Sequence, residues 1–196
     1  MDVVLVDAGG TNIGSVCYAL ERLGVAASPG NDPDRIRAAS HVIVPGVGAA
    51  ARGMRRLRDS GLDAVIRGLR QPVLGVCLGM QLLFEHSDEG DTPCLGLIPG
   101  QVRHLPDRPG LRVPHMGWNT LRVRKADPLL AATETGAFAY FVHSYAVPVG
   151  DFTLATSTHG MAFSAVVRHD NFCGMQFHPE RSAELGAQLL EKFLCL

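Results

Sequence analysis

Up to about residue 90 the chain alternates short apolar runs with stretches of helical periodicity. Residues 2–7 (DVVLVD) read as a first strand. Gly9 and Gly10 turn it into a helix over residues 11–23, where Ile13, Val16, Cys17, Leu20 and Leu23 recur at helical spacing and Gly24 supplies the stop. A second apolar run, residues 41–45, leads into Gly46-Val47-Gly48, and helical patterns follow over about 49–59 and 62–70. A third run, residues 72–76, enters Cys77 and a helix over about 79–86. Strands alternating with helices predict crossover connections and a largely parallel central sheet. Beyond residue 90 the texture changes. Segments 95–105, 113–124, 137–147, 152–157 and 162–177 are short, often alternating, and separated by Gly, Pro or Asp, which predicts strands, several of them antiparallel. A closing helix over 183–194 places Leu185, Leu189, Leu190 and Phe193 on one face. The expectation is one α/β domain over residues 1–196, with a mixed sheet flanked by helices.

The third run carries the first chemical signal. Gly75-Val76-Cys77-Leu78-Gly79 has the form G-x-C-x-G between a buried strand and a helix. A sharp strand-to-helix turn strains its middle residue and pushes that side chain outward, and a Cβ at either flanking glycine is expected to collide across the turn. The helix start beneath the sulfur presents unpaired N–H groups that favour a thiolate, and the Leu78 N–H points where an oxyanion would develop. A thiol nucleophile needs a base. Residues 172–182 (FCGMQFHPERS) end an apolar strand at His178 with Glu180 two positions on, which an extended chain would place on the same side. Glu180 could then accept from one imidazole nitrogen while the other faces Cys77, with Pro179 stiffening the link. Val44-Pro45-Gly46-Val47-Gly48 follows another strand and supplies glycines for a peptide that turns its N–H toward a bound carbonyl. Taken singly, these motifs also fit a glycine-rich turn, a surface turn with a solvated ion pair, and an ordinary β-turn. Together they make a nucleophile, a base and an orienter at the C-terminal ends of strands, where α/β sheets collect their sites.

Composition narrows the rest. Hydrophobic residues make up 46% and charged residues 19%, too apolar a balance for long disorder, and the net charge of −1 comes with scattered Lys and Arg, so nucleic acid is not an expected partner. No apolar run reaches the ~18 residues of a membrane helix, and the N-terminus reads as a strand and not as a signal peptide, which points to a cytosolic protein. The five cysteines are widely spaced without C-x-x-C, and the histidines lack metal spacing, so neither disulfides nor a metal is expected.

The strand leading into PGVG, PVLGVCLGMQLLFE and QFHPE together resemble the class I, triad-type glutamine amidotransferases. Residues 113–119 (VPHMGWN) and 140–145 (YFVHSY) resemble, within that family, glutaminase subunits that hand ammonia to a (β/α)8-barrel cyclase in histidine biosynthesis. The resemblance runs over about residues 2–194. It implies a flavodoxin-like sheet and no cofactor. Cys77 would attack the amide of L-glutamine, His178 would act as base and then acid, and Glu180 would orient it. It further implies an oxyanion hole from the Val47 and Leu78 amides and glutamine-binding positions at Gly48, Gln81, His143, Ser144 and Tyr145. The partner interface would take in Asn12, Pro114, Met116 and Trp118. A core aromatic is the alternative reading of Trp118, and His115 and Asn119 could equally be plain turn residues. The chain departs from the family near Ala8, where many members carry a bulkier residue, and at His159, where members often have Tyr. Two other readings stand beside this one: a glutaminase serving pyridoxal phosphate, guanylate or anthranilate synthesis, or a non-catalytic binding subunit of the same fold.

Overall fold

Period-two alternation along the central strands builds two cores, one on each face of a single sheet. The computed structural model describes residues 1–7 and 13–196. In chain order its elements are β1 (Val3–Val6), α1 (Ile13–Arg22), β2 (Ala27–Gly30), α2 (Pro33–Ala38), β3 (His41–Gly46), α3 (Ala50–Asp59), α4 (Leu62–Arg67), β4 (Val73–Cys77) and α5 (Leu78–Leu82). There follow β5 (His86–Ser87), β6 (Thr92–Pro93), β7 (Gln101–His104), β8 (His115–Thr120), β9 (Arg122–Val123), β10 (Phe138–His143) and β11 (Tyr145–Ala146). Last come β12 (Thr153–His159), β13 (Met161–His169), β14 (Phe172–Met175) and α6 (Ala183–Leu194).

The main sheet has the order β2-β1-β3-β4-β14-β13-β12-β9. From β2 to β14 every pairing is parallel, in the 2-1-3-4-5 arrangement of flavodoxin-like sheets; from β14 to β9 every pairing is antiparallel. Val3, Leu5, Ile43 and Leu74 point to the face covered by α1 and α6, joining Val16, Leu20, Leu189 and Phe193. Val4, Val6, Val42 and Val44 point to the other, joining Ile36, Met54, Leu57 and Ile66 of α2, α3 and α4. Outside this sheet β8 and β10 form an antiparallel ribbon, and β11, β7, β5 and β6 a small side sheet.

Several expectations change, and segment 95–105 is strand only over Gln101–His104. The helix after Cys77 stops at Leu82 instead of about residue 86, because residues 86–87 leave it to pair in the side sheet. Segment 162–177 divides into β13 and β14, a hairpin turning at Asp170, whose φ is 51°. The sheet also gains an edge strand and a helix that apolar periodicity does not announce. β2 reads Ala-Ser-Pro-Gly and is nowhere fully buried, and its Pro29 is tolerable because the strand lies at an edge. α2 starts at Asp32-Pro33, where the Asp32 carboxylate caps the Asp34 N–H.

The site rests on close backbone contact between α5 and β3. A Cβ at Gly79 would strike the Val44 carbonyl oxygen, whereas one at Gly48, with φ 92°, would meet nothing within 4 Å. Gly79→Ala is therefore expected to cost about 3 kcal/mol or more, by forcing α5 off the sheet. Gly48→Ala should cost only about 1 kcal/mol, through its left-handed backbone. Denaturant unfolding of the two variants checks the contrast.

Candidate active site

Cys77 ends β4 and opens α5 with φ 54° and ψ −112°. A non-glycine residue in such a conformation stores roughly 1–3 kcal/mol of strain and keeps it only where the surroundings leave no alternative. Here they do. Cys77 is paired with Gly46 of β3, and β14 flanks β4 on the other side. A Cβ at Gly75 would come within 2.6 Å of the Met80 backbone across the turn, and one at Gly46 within 2.8 Å of the Gly79 nitrogen. The two glycines of G-x-C-x-G thus serve different contacts: Gly75 clears the turn itself, while Gly79 clears the neighbouring strand. With only five residues, α5 has a small dipole, so a charge facing the sulfur must come from elsewhere.

It comes from His178. β14 ends at Met175, three residues earlier than the sequence suggests, and the chain beyond it is pinned by other bonds. The His178 N–H donates to the Tyr140 carbonyl at 2.9 Å, and Ser182 Oγ–H donates to the His178 carbonyl at 2.7 Å. That same hydroxyl accepts from the Tyr140 N–H at 3.0 Å. Glu180 lies in a 3-10 turn over Pro179–Arg181, so its carboxylate reaches the ring by a turn and not along an extended strand. His178 Nδ1 is 2.9 Å from Glu180 Oε1, and the Glu180 side chain is only 1% exposed. With Nδ1 committed to Glu180, Nε2 is the nitrogen left to face Cys77, which lines the same cleft. Burial works to lower the imidazole pKa, but the hydrogen bonds and charges of Cys77 and Glu180 outweigh it and push the ring up to about 10. Cys77 Sγ also lies 3.7 Å from the Val142 carbonyl oxygen and 3.9 Å from Gln176 Nε2.

These groups open into a cleft of about 450 Å³. Cys77, His178, Val47, Leu78, Gly48, Gln81, His143, Ser144 and Tyr145 all line it, as does Pro114. Val47 directly follows Gly46, the strand neighbour of Cys77, and Leu78 is the first residue of α5, where a backbone N–H has no intrahelical acceptor. Met116 and Trp118 stand outside the cleft on the outer face of the β8–β10 ribbon, 64% and 53% exposed. That exposure removes the core reading of Trp118. Asn12 lies outside the described residues. His159 stacks on His115 with ring centroids 4.2 Å apart, and among the described residues no group of three or more His, Cys, Asp or Glu could hold a metal ion.

Several site residues escape the sequence reading. Glu89 lines the cleft, with Oε2 accepting from the Ala50 N–H at 2.7 Å; it stands among other acids (SDEGD) with no spacing to mark it. Gln176 is fully buried within QFHPE, where its neighbours draw the attention. His115 and Asn119 sit on strand β8, not in a turn, and face inward.

Comparison with known proteins bears on the family and the fold. The family described as glutamine amidotransferase class-I matches residues 4–195. A Xylella fastidiosa (strain Temecula1) protein named imidazole glycerol phosphate synthase subunit HisH is 55% identical over 193 residues, covering 98% of this chain and 96% of its own. The protein of the same name from Xanthomonas oryzae pv. oryzae (strain MAFF 311018) is 56% identical with the same coverage. Among solved structures, one of a glutamine amidotransferase superposes with a TM-score of 0.74 at 22% identity, covering 97% of this chain and 96% of that one. The structure of PurLQS from Thermotoga maritima gives 0.68 at 20%, covering 99% and 97%. At such identities the superpositions speak for the fold alone. The family match over nearly the whole length, joined to relatives more than half identical, means that this chain belongs to the class I glutamine amidotransferases.

Proposed function

We propose that this chain is the glutaminase subunit of imidazole glycerol phosphate synthase, acting in the cytoplasm on L-glutamine and passing ammonia to a (β/α)8-barrel cyclase. The observation that carries the reading is that Cys77 and His178 line one cleft, with Glu180 bonded to the far nitrogen of the ring. In the reaction, the Cys77 sulfur attacks the side-chain amide carbon. The oxyanion is received by the Val47 and Leu78 N–H groups. The carbon–nitrogen bond breaks as His178 gives its proton to the departing ammonia, leaving a glutamyl thioester. Water then attacks with His178 as base, and glutamate leaves with the sulfur restored.

The cleft suits an α-amino acid. Glu89 offers a carboxylate to the substrate ammonium. Both N–H groups of the Gln81 amide are engaged, with the Tyr145 carbonyl and Gln176 Oε1 at 2.9 Å each, so Gln81 has only its Oε1 to offer and acts as an acceptor. His143 has both ring nitrogens occupied, so its part in binding is through backbone and shape. Ammonia in neutral water is mostly ammonium, which is no nucleophile, so release must be sheltered. The ribbon supplies the place: Met116 pairs with Val142, whose carbonyl oxygen lies beside Cys77 Sγ, and Pro114 borders the cleft. A cyclase covering Pro114, Met116 and Trp118 closes over the site.

Cys77→Ala is expected to abolish glutamine-dependent product formation by the complex while ammonia-dependent formation survives; loss of both contradicts the division of labour. Glu180→Gln removes one of the interactions that raise the His178 pKa. Because the protonated ring is needed to expel ammonia, the alkaline limb of the glutaminase pH profile should move to lower pH by about one unit or more. Trp118→Ala should weaken the cyclase complex by about 2 kcal/mol while changing unfolding free energy by less than about 0.5 kcal/mol, read by titration calorimetry and denaturant melts.

A further inference from the structure

Two imidazoles and three carboxamides are packed in and behind the cleft wall, and their polar atoms can be accounted for from fixed ends. At one end, Asn119 Oδ1 accepts from the Thr120 N–H at 2.8 Å and Asn119 Nδ2 donates to the Thr158 carbonyl at 2.9 Å, so the amide cannot be turned over. Its Nδ2 faces His115 Nε2 at 3.2 Å, which makes that nitrogen an acceptor and leaves the His115 proton on Nδ1. His115 Nδ1 lies 3.0 Å from His143 Nε2. At the other end, His143 Nδ1 lies 2.8 Å from the Tyr145 carbonyl, which can only accept. His143 therefore also carries its proton on Nδ1 and accepts at Nε2. Both ends demand the same answer. Burial keeps both rings neutral, lowering His115 to about 4, with the nearby His159 adding to the effect, and His143 to about 3. The Tyr145 carbonyl takes a second bond from Gln81 Nε2 at 2.9 Å; Gln81 Nε2 donates also to Gln176 Oε1 at 2.9 Å, and Gln176 Nε2 reaches Cys77 Sγ at 3.9 Å.

We propose that His115 and Gln176 are positioning residues: a continuous run of hydrogen bonds from Asn119 through His115, His143, the Tyr145 carbonyl, Gln81 and Gln176 to the sulfur of Cys77 sets which atom each side chain turns toward the cleft. The functional part of this rests on the glutaminase reading above. The run turns the Gln81 oxygen to the substrate and an N–H to the nucleophile. It begins on β8, whose alternate residues Met116 and Trp118 face outward, so the strand offered to the partner is the one that anchors the run. Loss of the His115 proton donor orphans a buried nitrogen of His143 and frees that ring to abandon the Tyr145 carbonyl, on which the Gln81 amide depends.

Nitrogen NMR of the histidine side chains in the unaltered full chain reads the tautomers without any catalysis. His115 and His143 are both expected in the Nδ1–H form, and an Nε2–H form at either overturns the proposal. Kinetics of the complex with its cyclase give the second readout. His115→Phe keeps a ring stacked between Phe141 and His159 but deletes both hydrogen bonds, and should raise KM for glutamine about tenfold with a smaller change in kcat. His115→Asn, whose Nδ2–H stands in for Nδ1–H, should recover most of that loss. Gln176→Met should lower kcat and slow iodoacetamide labelling of Cys77, followed by peptide mass spectrometry. An unchanged KM in His115→Phe, or an equal loss in His115→Asn, overturns the positioning role. An inactive wild-type complex showing both Nδ1–H tautomers instead counts against the glutaminase reading and supports the hydrogen-bond run.

Discussion

A carboxylate whose side chain is almost wholly removed from water is costly unless a cation meets it, and the Glu180–His178 contact at 2.9 Å supplies one. Everything else in the site follows from that pairing. It commits Nδ1 of the ring, so only Nε2 can turn to Cys77, and it favours the protonated ring that the proposed reaction uses to expel ammonia. The buried pair survives because the segment bearing it is fastened independently of its charge: the His178 backbone is bonded to Tyr140 and Ser182, and a Cβ at Gly186 of α6 would strike the Pro179 carbonyl. A buried ion pair of this kind adds little net stability, and its value here is geometric.

The strained turn at Cys77 is the complementary half. β4 lies between β3 and β14, so the nucleophile and the segment leading to the base project from adjacent parallel strands, and the loop carrying Val47 comes from the strand on the other side. Three neighbouring strand ends thus bring Cys77, His178 and Val47, the proposed nucleophile, base and oxyanion donor, to one cleft. Glu89, Pro114 and residues 142–145 at the end of the β8–β10 ribbon close its remaining wall. That ribbon has two different faces. Its inward residues, His115, Asn119, Ala139, Phe141 and His143, pack or bond toward the site, and its outward ones, Met116, Trp118 and Phe138, are left in solvent.

Much of this was legible in the residue pattern because local rules and the final fold agree there. Apolar runs ending in glycine gave β1, β3 and β4, and G-x-C-x-G marked the turn at Cys77, since few other residues tolerate backbone so close. What was not legible depends on distant partners. β2 has no apolar pattern because an edge strand need not be buried, and α5 is short because residues 86–87 are claimed by the side sheet. Gln176, His115 and Asn119 carry no signal in isolation. Their importance lies in which atoms face one another across β8, β10 and the segment after β14, and hydrogen-bond direction of that kind is absent from residue identity. Glu89 is hidden for the same reason, as one acid among several whose place beside the cleft is decided by the start of α3.

A covalent bond from Cys77 to glutamine's side-chain carbonyl carbon is the central step, and one measurement addresses it directly. Carbon-labelled glutamine is turned over by the chain with its cyclase, the reaction is quenched in acid, and the peptides are mapped. Label on the peptide containing Cys77, absent when Cys77 is replaced by Ser, is the predicted result. Glutamate released with no label on Cys77, or label on another cysteine, would contradict it.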